Sequence, residues 1–146
     1  QIMCFLLNLD KLYKMPVVSL LFAFLAALLH VLFFLMESVF YMNPKVHRNF
    51  GVKKIEDAHT LKLTMFNQGF YNLFLSAGIF AGMYLLTTEH VTVGKTLILF
   101  NCASMFLAAV VLFISKPNML KGVFIQGFCP LVALISYFLA NKAIQL

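Results

Sequence analysis

The amino-acid sequence predicts an all-α fold, a bundle of four transmembrane helices joined by short connections. Three observations predict it: 62% of the 146 residues are hydrophobic, only 11% are charged, and the apolar residues gather into four long stretches. Soluble domains are about 45–50% apolar and about 25% charged, so one soluble core of this size could not hide so much apolar surface. Lipid can serve as the apolar solvent instead.

Each stretch is long enough to cross a hydrocarbon core, which needs a helix of about 20 apolar residues. We place the four spans at residues 16–42, 63–86, 95–115 and 120–140. Asn43 and Pro44 end the first span, because the residue before a proline disfavours helix, and Pro117 ends the third. Short connections after the second and third spans predict antiparallel neighbours.

Residues 1–14 are expected to lie outside a single membrane domain that runs from residue 15 to residue 146. The sequence begins with Gln1, and Met15 directly precedes the first span. We therefore interpret Met15 as the start and the residues before it as a mis-assigned extension. A signal peptide is not predicted, because no small-residue cleavage site follows a short apolar core.

Basic residues set the predicted orientation, because Lys and Arg are enriched in cytoplasmic loops. The loop at residues 43–62 holds five of them and the third connection, at 116–119 and Lys121, holds two. The other side of the spans has Lys95 and Lys142, with Lys11 and Lys14 added if residues 1–14 belong to the protein. We expect both loops in the cytoplasm, both termini outside, and the protein in the cell membrane.

The formal charge of +6 follows from this loop pattern, and nucleic acid is not an expected partner. Anionic lipid headgroups are the expected partners of a basic cluster in the first loop, formed by Lys45, Arg48, Lys53 and Lys54. No metal and no cofactor is predicted. The spacing of His47 and His59 matches no common metal site, and the three cysteines are odd in number and scattered.

Small and polar residues share one face of each span when the span is wound at about 100° per residue. An unpaired polar group is costly in lipid, so this face should point into the bundle. The candidate polar-site residues are Glu37, Asn67, Gln68 and Gln126 near the cytoplasmic end, and His30 and Asn72 nearer the midplane. The first four lie roughly 7–8 Å inside at 1.5 Å per residue, and we expect them to meet in one layer.

Glu37 is the foremost candidate, because an ionisable group inside a span is costly and suggests function by default. The alternative is a protonated or amide-bonded glutamate that only holds helices together, and the sequence leaves both open. For His30 the favoured interpretation is a satisfied core histidine. For the Asn and Gln side chains it is hydrogen bonding between helices.

Three residues are predicted to serve helix packing. Gly78 and Gly82 are four residues apart, a spacing that permits close approach of helices. We favour packing inside the bundle, and a homo-oligomer stays open. Pro130 cannot donate a backbone hydrogen bond, so it frees the carbonyl of Gln126 and predicts a kink.

A distinctive motif runs from Asn67 to Gly78 and reads NQGFYNLFLSAG. It is accompanied by His30, Glu37 and Phe40 in the first span and by Gln126, Gly127 and Pro130 in the last. The pattern resembles the signature of a family of short bacterial membrane proteins, catalogued as domain of unknown function 1304, from about residue 15 to the end. The resemblance implies four spans. It does not imply any particular activity. The third span departs from it, with Ala108 and Ala109 where glycines are expected.

Three functions stay open from the sequence. The leading one is a small transporter-like or solute-binding membrane protein, whose polar layer holds a small polar solute or a proton. The second is a membrane enzyme acting on a lipid or a hydrophobic small molecule, with Glu37 or His30 as general acid or base. The third is a structural or accessory subunit in which the polar layer only joins the helices. A non-enzymatic role is favoured, and no residue is assigned to catalysis.

Overall fold

A computed structural model describes residues 15–144, with side chains as far as residue 142, so the prediction about residues 1–14 lies outside the described part. The helices are α1 (Val17–Phe34, continued by a π-helical turn over Leu35–Val39), α2 (Pro44–Asn49), α3 (Ile55–Leu86), α4 (Val91–Ser115) and α5 (Leu120–Ile144). No strand occurs within the described residues. The predicted all-α fold is confirmed.

Four of these helices are long and apolar enough to cross a membrane, namely α1 with its π turn, α3, α4 and α5. They form a ring in which α1 packs against α3 and α5, and α4 packs against the same two helices from the other side. The first and third connections lie at the same end of the bundle, since a Cβ atom placed at Gly51 would be 3.8 Å from Nζ of Lys116. The structure therefore has the architecture of a multi-pass membrane protein.

The short helix α2 begins at the Asn-Pro pair that ends the first span. The side chain of Asn43 accepts a hydrogen bond from the backbone N–H of Lys45 at 3.0 Å, and Pro44 occupies the first helical position. Asparagine caps and proline at this position are both favoured at helix starts. The pair thus stops one helix and starts another, which folds back over the end of α1.

The inward face of α1 is built mostly from small side chains, and its large apolar ones point outward. On α1 the buried residues are Ser19, Ala23, Ala26, Ala27 and His30, whereas Leu21, Phe24 and Leu28 are exposed. A soluble helix bundle would show the reverse arrangement. With lipid as the solvent, close packing of small residues is what joins helices.

A close backbone contact joins α3 to α4 through two glycines. A Cβ atom placed at Gly94 would lie 2.6 Å from the carbonyl oxygen of Gly82, and one placed at Gly82 would lie 2.8 Å from the carbonyl oxygen of Gly94. Gly78, one turn before Gly82, lies against the side chain of Asn101 on α4. Gly78 and Gly82 therefore face α4 inside the bundle.

Gly94→Ala is expected to lower the free energy of unfolding by about 1–3 kcal/mol, because the new methyl group meets backbone atoms that cannot yield without separating the helices. Gly122→Ala is the matched control near the start of α5, where the nearest atom to a new Cβ is 3.7 Å away. That change should be neutral or slightly stabilising. Detergent-induced unfolding of both variants tests the contact, and equal stabilities would contradict it.

Candidate functional site

The candidate site is built on the π-helical turn that ends α1. The backbone N–H of Phe40 donates to the carbonyl of Leu35 at 2.8 Å, five residues back. Such a turn inserts one extra residue into a helix, which changes the direction of the side chains that follow, and π turns occur frequently at functional sites. This one carries Glu37 and Ser38.

Two contacts hold the π turn against α3. The hydroxyl of Ser38 donates to the backbone carbonyl of Phe66 at 2.8 Å. One turn later, Gly69 lies directly against the π turn: a Cβ atom there would meet Oγ of Ser38, and would be 3.1 Å from the carbonyl oxygen of Phe34. Glycine at this position therefore lets α3 approach closely enough for Ser38 to bond.

Glu37 faces the interior and is bonded to α3. Nδ2 of Asn72 donates to Oε2 of Glu37 at 2.8 Å, and the two side chains are only 5% and 8% exposed, respectively. Oε1 of Glu37 accepts no hydrogen bond from the residues that the structure describes. It is also not one of the fully buried polar atoms that lack a partner. One carboxyl oxygen is thus held by the protein, and the other is open to a ligand.

A cavity of about 290 Å³ lies beside this carboxyl group, between the end of α1 and the first half of α3. We call it the Glu37 pocket; its lining residues are Glu37, Ser38, Val39, Tyr41, Met42, Lys62 and Phe66. A water molecule occupies about 30 Å³ in the liquid, so the space can hold a small solute with a few waters. Its charged groups are one carboxyl and one ammonium.

The short helix α2 closes the end of the bundle next to this pocket. Tyr41 is buried against the rings of His47 and Phe50, with centroid distances of 6.3 Å and 6.4 Å. Nδ1 of His47 donates to the carbonyl of Val52 at 2.6 Å, which leaves Nε2 as an acceptor. The Tyr41 hydroxyl and Nε2 of His47 are buried without a partner among the described residues.

His30 lies seven residues before Glu37 on α1 and is almost fully buried. Its Nδ1 donates to the carbonyl of Ala26 at 2.9 Å, so Nε2 is left as an acceptor. That atom is buried and has no partner within residues 15–144. His30 is therefore only half satisfied, in contrast to the core histidine that the sequence favours, and it forms no direct bond with Glu37.

The expected layer of four polar residues does not form in the structure. Asn67 and Gln68 are exposed, Gln126 is half-buried, and none of the three has a side-chain hydrogen bond within the described residues. Asn67 is five residues from Asn72, which turns it about 140° away from the bonded face of α3. Gln68 points in nearly the same direction as Asn72, but it lies one helical turn nearer the end of the bundle than Asn72 does.

Gln126 fails to join Glu37 for a different reason. Its helix, α5, packs against α1 and α4, whereas the carboxyl group of Glu37 turns toward Asn72 on α3. Pro130 on the same helix is fully buried, and α5 continues through it from Leu120 to Ile144. The site therefore belongs to the pair α1 and α3.

Glu37 is the one lining residue that was a sequence candidate, and the polar lining residues that the sequence analysis missed are Ser38, Tyr41 and Lys62. In the sequence Lys62 counts only among the basic residues of the first loop, and Ser38 is not singled out. The π turn re-aims Ser38, and nothing in the hydrophobic pattern indicates such a turn. Within residues 15–144 no three His, Cys, Asp or Glu side chains cluster closely enough to hold a metal ion.

Comparison with known proteins gives one match. The model of the family described as protein of unknown function (DUF1304) matches residues 24–138, which include Glu37, Asn72 and the whole of the Glu37 pocket. Comparisons with curated proteins and with solved structures found no significant match.

Proposed function

The chain belongs to the DUF1304 family of proteins of unknown function, and we propose that it binds a small polar solute in the Glu37 pocket. The observation that carries this proposal is that the two oxygens of the Glu37 carboxyl group have different surroundings. One oxygen is fixed by Asn72, the other has no hydrogen-bond partner among the described residues, and Glu37 lines a cavity large enough for a solute. A carboxylate oxygen is an acceptor, so the solute must offer a hydrogen-bond donor or a positive charge.

A purely structural role for Glu37 explains less of this geometry. The bond to Asn72 would join α1 and α3 equally well in a sealed interface, and polar residues that only join helices need no adjoining space. A buried ionisable group with an open acceptor is costly unless something occupies it. The pocket beside Glu37 supplies the room for such an occupant.

The proposal includes an orientation. We place the loops at residues 43–62 and 116–119 in the cytoplasm and the protein in the cell membrane, with anionic headgroups near Lys45, Arg48, Lys53 and Lys54. Both loops lie at one end of the bundle, and that end is rich in basic residues, which supports this placement. The pocket then opens near the cytoplasmic surface, and His30 lies deeper as the next proton acceptor on α1.

Thermal unfolding of the purified protein in a non-ionic detergent tests the function. Ethanolamine, which offers an ammonium and a hydroxyl donor, should stabilise the wild type, by about 2.7 kcal/mol at 100 times its dissociation constant. Glu37→Gln should weaken binding at least tenfold. Glu89→Gln, a change in the exposed connection between α3 and α4, should leave it unchanged.

A second variant covers the case in which Glu37→Gln disturbs folding. Val39→Trp enlarges a half-exposed wall residue of the pocket and should block binding without removing the carboxyl group. If ethanolamine fails to stabilise the wild type, or if both variants bind it as the wild type does, the solute-binding function is wrong. Glu37 would then act only as a link between helices.

A further inference from the structure

We infer that the solute of the Glu37 pocket is a zwitterion, with its ammonium group at Glu37 and its phosphate or carboxylate group at Lys62. This inference rests on the proposed function and adds the class of ligand. It follows from the two charged groups of the pocket, which have opposite signs and lie at different depths.

The two charges line the same cavity and do not neutralise each other. Glu37 and Lys62 form no ion pair, and neither has another charged partner within the described residues. The backbone of Lys62 is ten residues before Asn72 on α3, about 15 Å along the helix axis, and its long side chain reaches the cavity that Glu37, bonded to Asn72, also lines. The Glu37 side chain therefore lies at the buried end of the pocket, which we call its inner end, and Lys62 lies at the exposed end, which we call its mouth.

The inner end of the pocket suits an ammonium group. Oε1 of Glu37 is an open acceptor, and the hydroxyl oxygen of Ser38, whose proton goes to Phe66, keeps lone pairs that can accept a second bond. When it is ionised, the carboxyl group would repel an anion there. Because the side chain of Glu37 is only 8% exposed, that repulsion would be weakly screened.

The mouth of the pocket suits an anion. Lys62 is exposed on α3, and its ammonium group offers three donors. A ligand with only a positive charge would leave the charge of Lys62 unmatched. A ligand with both charges meets an opposite charge at each end, and such complementarity supplies specificity.

Two sources can supply this chemistry, a soluble zwitterion or the headgroup of an aminophospholipid. Val39 and Phe66 form apolar walls of the pocket and are 56% and 44% exposed. In a membrane such exposed apolar walls would contact acyl chains, so the pocket is accessible to a lipid from the side. The shared ligand chemistry is an ammonium group joined to a phosphate by a short linker.

The test compares three probes on the wild type in non-ionic detergent: ethanolamine, ethyl phosphate and O-phosphoethanolamine. O-phosphoethanolamine should bind at least tenfold more tightly than either single-charge probe. Lys62→Gln should remove that preference and leave ethanolamine binding within about twofold of the wild type. Lys54→Gln, which removes an exposed charge that does not line the pocket, should keep the preference.

The outcomes separate this inference from the proposed function. If ethanolamine binds as tightly as O-phosphoethanolamine, or if Lys62→Gln keeps the preference, the zwitterion assignment is overturned and solute binding at Glu37 stands. If none of the probes binds, both fail. Because Lys62 is exposed, its variant should fold even if changes at Glu37 do not.

A competition experiment then identifies the source of the ligand. Binding of O-phosphoethanolamine is measured in nanodiscs of phosphatidylglycerol with and without phosphatidylethanolamine. A lipid ligand predicts at least tenfold weaker probe binding when phosphatidylethanolamine is present, and a soluble ligand predicts no change. Either result supports the zwitterion, whereas tighter probe binding to Lys62→Gln than to the wild type in phosphatidylglycerol nanodiscs would contradict it.

Discussion

Asn72→Leu should lower the free energy of unfolding by about 1–3 kcal/mol and weaken solute binding at least tenfold. Leucine has a similar size but cannot donate to Oε2 of Glu37, so a buried carboxyl group loses its protein partner. The loss should also free the side chain to turn, and the open oxygen would no longer be aimed into the pocket. Detergent-induced unfolding and ethanolamine titration measure the two effects separately.

Asn67→Leu is the matched control for this prediction. It makes the same chemical change on the same helix, five residues earlier, at an exposed side chain without a hydrogen bond in the described part of the chain. Its effect on stability should stay within about 0.5 kcal/mol. Equal losses at both positions would contradict the placement of Asn72 opposite Glu37.

Gly69→Ala should destabilise the protein by about 1–3 kcal/mol and also weaken binding, because its methyl group meets the π turn. The new atom would overlap Oγ of Ser38 and would lie 3.1 Å from backbone atoms of Phe34 and Ser38. To relieve this steric clash, α1 and α3 must separate at the π turn that carries Glu37. Unfolding and ethanolamine binding should therefore decline together.

A double-mutant cycle with Ser38→Ala checks the cause. Ser38→Ala removes the hydroxyl that a side chain at position 69 would overlap, so Gly69→Ala should be less damaging in that background. Purely additive losses of stability would show that the two positions do not touch. The contact between Gly69 and the π turn would then be wrong.

The four helices could be predicted because each carries an apolar stretch long enough to cross a membrane. Together these stretches hold more apolar surface than one soluble core of this size can bury. The bounds were less predictable. Helix α3 begins at Ile55, eight residues before the predicted start of the second span at residue 63. Hydropathy detects where a chain enters lipid, whereas the helix itself extends into the polar stretch before it, which includes Glu56 and Asp57.

The interior face of α1 could also be predicted, because Ser19, Ala23 and His30 recur at helical spacing opposite large apolar residues. The pairing of Glu37 with Asn72 could not. Counting residues from the ends of the spans places Glu37 near the surface and Asn72 near the midplane. The π turn and the seating of Gly69 on it set the actual alignment of the two helices, and neither has a signature in the hydrophobic pattern.

Accessibility of the Glu37 carboxyl group tests the central claim most directly. A water-soluble carbodiimide with ethanolamine as the nucleophile would convert reachable carboxyl groups to amides, and peptide mass mapping would distinguish Glu37 from the chain's four other acidic residues. The exposed pair Glu56 and Asp57 serves as the positive control. Our account predicts amide formation at Glu37 that Val39→Trp suppresses. Modification of the exposed pair with Glu37 left intact in the wild type would contradict it.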